Sequence, residues 1–184
     1  MLIYINKMTL VKRKKNNKTH KKKILLRYLP KSLSKRDRNK QKNMLLKSRR
    51  LYKKNEYYSR KPLKSFKSKK SSHIMDAQKL YKIDKVVVNS ELAKKTGCTK
   101  ESLQKIVNKG QGAYFSSGSR PNQTAQSWGI ARLASSITGG KASYIDFSIL
   151  ENGCREKGSI ALKLAKKAKI KYMNKTRKMP KTIL

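Results

Sequence analysis

Between Gly110 and Gly140 a chain otherwise saturated with lysine contains none. The segment from Lys109 to Gly140 reads KGQGAYFSSGSRPNQTAQSWGIARLASSITGG, and after Lys109 its only cations are Arg120 and Arg132. Such exclusion marks a shaped surface rather than a solvated one, so the fold must be organised around it. Gly110, Gly112 and Gly118 surround Tyr114, Phe115, Ser116 and Ser117, which predicts a loop able to approach a partner closely with free N–H groups. Arg120-Pro121 holds the chain extended, and Asn122, Gln123 and Thr124 lead into a helix over about 125–137 that Gly139-Gly140 ends. Trp128, Ala131, Ala134 and Ile137, flanked by Ile130 and Leu133, form its buried stripe, with Arg132 pointing away.

Two readings fit this segment. It is either the core of a compact domain, with its polar residues satisfying turns, or an anion pocket. In the second, Arg120, Arg132, Ser116, Ser117, Gly118 and free amides take a phosphate, and Tyr114 or Phe115 stacks on a base.

Charge narrows the partner. Lys and Arg number 49 against 9 acids in 184 residues, a net +40. Repulsion on that scale opposes compaction unless a polyanion relieves it, so nucleic acid is the leading expectation, with DNA favoured, and an anionic membrane comes second. With 36% hydrophobic residues a core spanning the whole length is not expected, and much of the chain is expected to be disordered or ordered only on a partner. Net charge is +25 over residues 1–80, +6 over 81–158 and +9 over 159–184. The expected fold class is mainly α with minor β: a small α+β domain at 80–158, a long, basic, partly disordered N-terminal arm at 1–79, and a basic helix and tail at 159–184.

Cys98 and Cys154 either pair, in an oxidising virion, or sit as small buried hydrophobes, and free thiols are the expectation; with His20 and His73 outside the domain no zinc-ligand spacing arises. No metal or cofactor is expected. The N-terminal apolar run precedes its charges, the reverse of a secretory signal, and no stretch reaches membrane-spanning length, so a soluble product is expected, with Met8 a possible start.

Along the chain, Lys12–Lys23 is a charge run that is either a solvated tail or a phosphate-neutralising arm. Residues 34–54 can form a basic helix with Met44, Leu45, Leu46, Leu51 and Tyr52 on an intermittent apolar face, a candidate for folding on a polyanion. Tyr57, Tyr58 and Phe66, interleaved with Arg60, Lys61, Lys64, Lys67, Lys69 and Lys70, either anchor a partner or stack on bases, or else plug the chain's own domain. A short helix follows at 73–83, then a strand at Asp84–Val88. Residues 90–109 read as two helices about Gly97, the second ended by Gly110. The pair resembles a DNA-binding helix-turn-helix whose groove-facing helix would start with Lys100, Glu101, Ser102 and Lys105, although ordinary capping explains the same residues. KASYIDFSIL is weakly strand-like, with Asp146 able to cap a turn through Leu150. A basic helix over 159–173 closes the chain, lying on a polyanion or docked by Leu162 and Leu164.

No catalytic constellation assembles, so no enzyme is expected and no catalytic residue is assigned. The GxGAYFSS run faintly resembles the nicotinamide-clamping strand of ADP-ribosyltransferases. The His or Arg motif and the catalytic Glu of that family are not recognisable here.

YLPKSLSKRDRNKQ from Tyr28, SRRLYKKNEYYSRKPLKSFKSKKSSH, the block LAKKTGCTKESLQKIVNKGQGAYFSSGSRPNQTAQSWGIARLASSITGGKAS and the tail ALKLAKKAK together resemble an uncharacterised lysine-rich family encoded by large nucleocytoplasmic DNA viruses. GAYFSSGSRPNQTAQSWGIARL is similar to segments of tailed-phage proteins. The resemblance implies a viral context, in the virion or virus factory, and brings no site residues with it. The expected function is phosphate neutralisation of a packaged genome. The alternative is a minor capsid or scaffold protein whose arms thread between capsid or core proteins.

Overall fold

The computed structural model describes residues 23–173 and 181–183. The run before Lys23, the Met8 start and most of the final tail lie outside the described residues. Among the described residues the chain is mainly helical, with eight helices and one two-stranded sheet. Strand β1 (Lys23–Leu25) pairs antiparallel with β2 (Lys181–Ile183), Ile24 opposite Thr182. The helices are α1 (Lys35–Tyr52), α2 (Ser72–Tyr81), α3 (Ser90–Thr96), α4 (Lys100–Ser116), α5 (Ala125–Ile137), α6 (Lys141–Ile145), α7 (Phe147–Gly153) and α8 (Ile160–Met173).

Caps set several starts. Ser34 accepts from the Asp37 amide, Asn89 from Leu92, Thr99 from Ser102 and Thr124 from Ser127, the last as a reciprocal capping box. Helix α5 thus has the expected bounds.

Helix α4 departs from expectation. It does not stop at Gly110 but runs through Gly112 to Ser116, so the predicted glycine loop is helix. The glycines serve helix packing instead. A Cβ on Gly110 would lie 2.6 Å from Gly129 Cα, and one on Gly129 would lie 2.8 Å from the Val107 carbonyl oxygen. Only glycine at both positions lets α4 and α5 close to this distance.

Two hydrophobic clusters result. The larger gathers Ala77, Tyr81, Leu92, Leu103, Ile106, Val107, Leu133, Ile137, Leu150, Leu162 and Ala165 from α2 through α8. The second comprises Ile24, Tyr28, Leu29, Leu33, Met44, Leu45 and Leu63, all from the supposed arm. Helix α5 joins them: Leu133 and Ile137 enter the first, while Trp128 packs edge-on against Tyr28 of the second, ring centroids 5.9 Å apart. Residues 23–79 are therefore not an arm ending at 80. Charge hid them, because lysines can extend into solvent while the aliphatic residues between them pack inward. Asn122, at φ 56°, pins this segment from the far side: its Oδ1 accepts from the Leu63 amide at 2.7 Å and its Nδ2 donates to the Phe66 carbonyl at 2.7 Å.

Three further expectations fail. Asp84–Val88 forms no strand; Val86 is buried and Val87 is half exposed, with no neighbouring strand to complete a ladder. KASYIDFSIL forms α6 and α7, and the Asp146 side chain makes no capping bond. Cys98 and Cys154 are disulfide-bonded rather than free. The turn before α4 and the end of α7 lie antiparallel, tied by Thr99 N–H to Gly153 O at 2.8 Å and Arg155 N–H to Gly97 O at 2.9 Å, which brings the two sulfurs together. Their separation of 56 residues carries no sign of that contact.

Helix α8 docks through Ala161, Leu162, Ala165 and Ala168, leaving Ile160 and Ile170 outward. Of the two expected docking residues, Leu162 is buried and Leu164 is half-buried. No helix among the described residues is long and apolar enough to cross a membrane.

Candidate nucleic-acid interface

Helix α1 carries eight Lys and Arg residues and a single acid, Asp37. The Asp37 carboxylate is in no salt bridge among the described residues. It accepts from the Ser65 amide at 3.0 Å and the Ser65 hydroxyl at 2.8 Å, bonds that hold its carboxyl below the usual range. With one acid against eight cations, α1 keeps a large net positive charge.

Between the second half of α1 and the end of α4 lies a groove of about 650 Å³. Asn43, Lys47, Arg49, Arg50, Lys53 and Ser116 line it, with Leu46 and Tyr52 as its apolar wall and no carboxylate. Lys47, Arg50 and Lys53 are exposed and recur every third residue, rising about 9 Å along the axis. Arg49 is held by protein carbonyls rather than by an acid: its guanidinium donates to Ser117 O at 2.7 Å and to Lys23 O at 3.3 Å. Its buried Nε has no hydrogen-bond partner.

Beneath the groove Arg60 is also without a carboxylate. It donates to Ser48 Oγ, Tyr114 O and Ser119 Oγ at 3.2, 3.0 and 2.7 Å, and its guanidinium lies 3.6 Å from the centre of the Tyr114 ring. Burial pushes both arginines below the ordinary guanidinium range; for Arg60, Tyr114 works against that and the neighbouring Arg49 adds to it. Arginine remains charged even so. Two desolvated cations thus back a surface of further cations.

The expected site residues part company here. Tyr114 is 1% exposed beneath Arg60, and its hydroxyl accepts from the Arg60 amide at 3.1 Å, so it cannot stack on a base. It lies on a helix, not on the nicotinamide-clamping strand of an ADP-ribosyltransferase. Arg132 is taken by Asp146, donating from Nε at 2.8 Å and from Nη2 at 2.7 Å. Lys109 joins the same carboxylate at 2.9 Å, and Ser136 Oγ donates to it at 3.0 Å. Gly118 is buried at φ 101°, where a Cβ would meet Leu45 at 2.7 Å, so its role is close packing. Ser116 lines the groove, its hydroxyl donating to Gly112 O. Ser117 holds Arg49 through its carbonyl. Arg120 is exposed and lies outside the groove.

Lys100 and Lys105 are exposed on α4, on the side that also carries Gln104 and Asn108, whose amides bond each other at 2.7 Å. Of the aromatic residues between α1 and α2, Phe66 packs on the second cluster, and Tyr58 joins it beneath the Lys47 ammonium, 4.7 Å from its ring centre. Tyr57 alone of the three stays open. Arg49 and Arg50 were not singled out in the sequence, and Arg60 only as one of the cations interleaved with Tyr57, Tyr58 and Phe66. Arg60 meets Tyr114 and Ser119 across more than fifty residues, and no local pattern announces such contacts.

Among the described residues, no three His, Cys, Asp or Glu side chains gather to hold a metal ion. No curated protein and no solved structure is matched. The sequence model of a family of unknown function (DUF5824) matches residues 25–152, more than half of the chain, and the protein belongs to that family.

Proposed function

We propose that the protein binds nucleic acid, DNA by preference, by neutralising its phosphates, and that it serves genome packaging or condensation in a virion or virus factory. The observation that carries this reading is the acid-free groove of α1, where Lys47, Arg50 and Lys53 stand exposed above the desolvated Arg49 and Arg60. A net charge of +40 extends the same chemistry over the chain. The viral setting rests on the resemblance of the lysine-rich segments and the central block. The capsid alternative has less to stand on, since Tyr58 and Phe66, two of its three anchors, pack on the chain's own cluster.

A salt titration tests the reading. Each phosphate contact contributes about −0.7 to −0.9 to the log–log slope of affinity against salt. The triple substitution Lys47→Ala, Arg50→Ala and Lys53→Ala is expected to flatten the slope by about 2, those three contacts being lost. An equal charge loss at the exposed Lys79, Lys85 and Lys94 is expected to change it by less than about 1. Equal effects from the two triples would show a generic polycation and defeat the assignment of the groove.

A further inference from the structure

Tyr57 is 71% exposed, an unusual position for a ring within an aromatic cluster. Phe115 braces it edge-on with centroids 5.1 Å apart, and Tyr52 does the same at 6.1 Å. Tyr52 and Phe115 are themselves stacked, 11° from parallel. Tyr52 is also a wall of the cationic groove, so the exposed ring sits beside it on a support of two further rings.

We infer that this groove takes unpaired nucleotides, the phosphates on Lys47, Arg50 and Lys53 and a base stacked on Tyr57. The inference rests on the phosphate-binding reading above and adds to it the substrate class. Its physical ground is that a duplex hides its base faces in the stack and presents only edges and backbone. An open aromatic ring beside a phosphate track gains stacking only from a base that is already free. Asn43 and Ser116 on the same groove supply polar contacts for the sugar–phosphate chain. Braced by Phe115 and Tyr52, the ring loses little freedom when a base settles on it.

The test compares three probes on the full chain at one salt concentration: a short thymidine oligonucleotide, an abasic strand of the same length, and a duplex. Tyr57→Ala is expected to weaken thymidine binding about tenfold, the equivalent of about 1.4 kcal/mol. Abasic and duplex affinities should be unchanged, and Tyr57→Phe should bind as the parent does. Equal losses on all three probes, or no loss on thymidine, would overturn the stacking role. In that case the alanine triple still decides the groove on its own, since it is read from the salt slope with any of the probes. If no probe binds above the affinity of the alanine triple, both readings fall. Because Tyr57 is open to solvent and makes no hydrogen bond among the described residues, its substitution is expected to leave folding intact, and thermal unfolding of each variant verifies that.

Discussion

Replacing Asp146 by asparagine is expected to lower stability by about 3 kcal/mol, and the melting temperature by roughly 6–12 °C. The carboxylate has no solvent exposure, and it receives Arg132 through two bonds, Lys109 through one and Ser136 through one. Burial alone would push its carboxyl up; the hydrogen bonds and charges of Arg132 and Lys109 outweigh that and hold it below the usual range. Its folded pKa is thus depressed. The stabilisation is present above the unfolded value of about 4 and is lost as pH falls through the folded one. Asparagine keeps the shape, removes the charge and leaves Arg132, 18% exposed, without its partner. Thermal unfolding from neutral to acid pH checks both parts: the parent should lose stability below about pH 4, and the variant should lose less over the same range. Matching acid profiles, or a difference at neutral pH under about 1 kcal/mol, would contradict the assignment. The pair Arg132→Met with Asp146→Leu should recover part of the loss, since removing both charges avoids an unpaired buried one.

The second large effect concerns the crosslink. Closing a loop between residues 56 apart restricts the unfolded chain by about 4 kcal/mol on the chain-entropy account. The double substitution Cys98→Ala and Cys154→Ala is therefore expected to cost roughly 3–4 kcal/mol. A thiol reductant should bring the parent's unfolding curve to that of the double variant, and the variant should be indifferent to it. A parent whose midpoint ignores the reductant would show that the bond contributes nothing.

Local rules carried much of the helical layout. Thr124 and Ser34 mark their helices because a hydroxyl at the cap answers free amides of the first turn, a relation between neighbours in sequence. Gly110 misled for the complementary reason. Glycine in the sequence reads as a break, yet here it permits a backbone from another helix to approach, and only the packed structure says which. The valines of 86–88 favour extended chain, but no neighbouring strand completes a ladder there. Cys98 and Cys154 were legible as a possible pair but the free thiols were preferred, because spacing along a chain does not encode distance across it.

The residue types of the candidate groove were legible, their positions were not. Cations beside aromatic rings were expected, but on Arg120, Arg132 and Tyr114. Arg132 turned out to serve Asp146, and Tyr114 to lie beneath Arg60, both through contacts between distant elements. Ser116 remained, brought into the groove by the packing of α1 on α4, with Tyr57 beside it against Tyr52 and Phe115.

The docking of α8 bears on what counts as a transferable piece of this protein. The family match ends at residue 152, two positions before Cys154 and ahead of the helix that seals the larger cluster with Ala161, Leu162, Ala165 and Ala168. The sequence match and the packed core thus have different limits. Buried residues of the two clusters and of α8 run from Ile24 to Ala168, and a graft or fusion cut at the family boundary would carry the signature without that last helix.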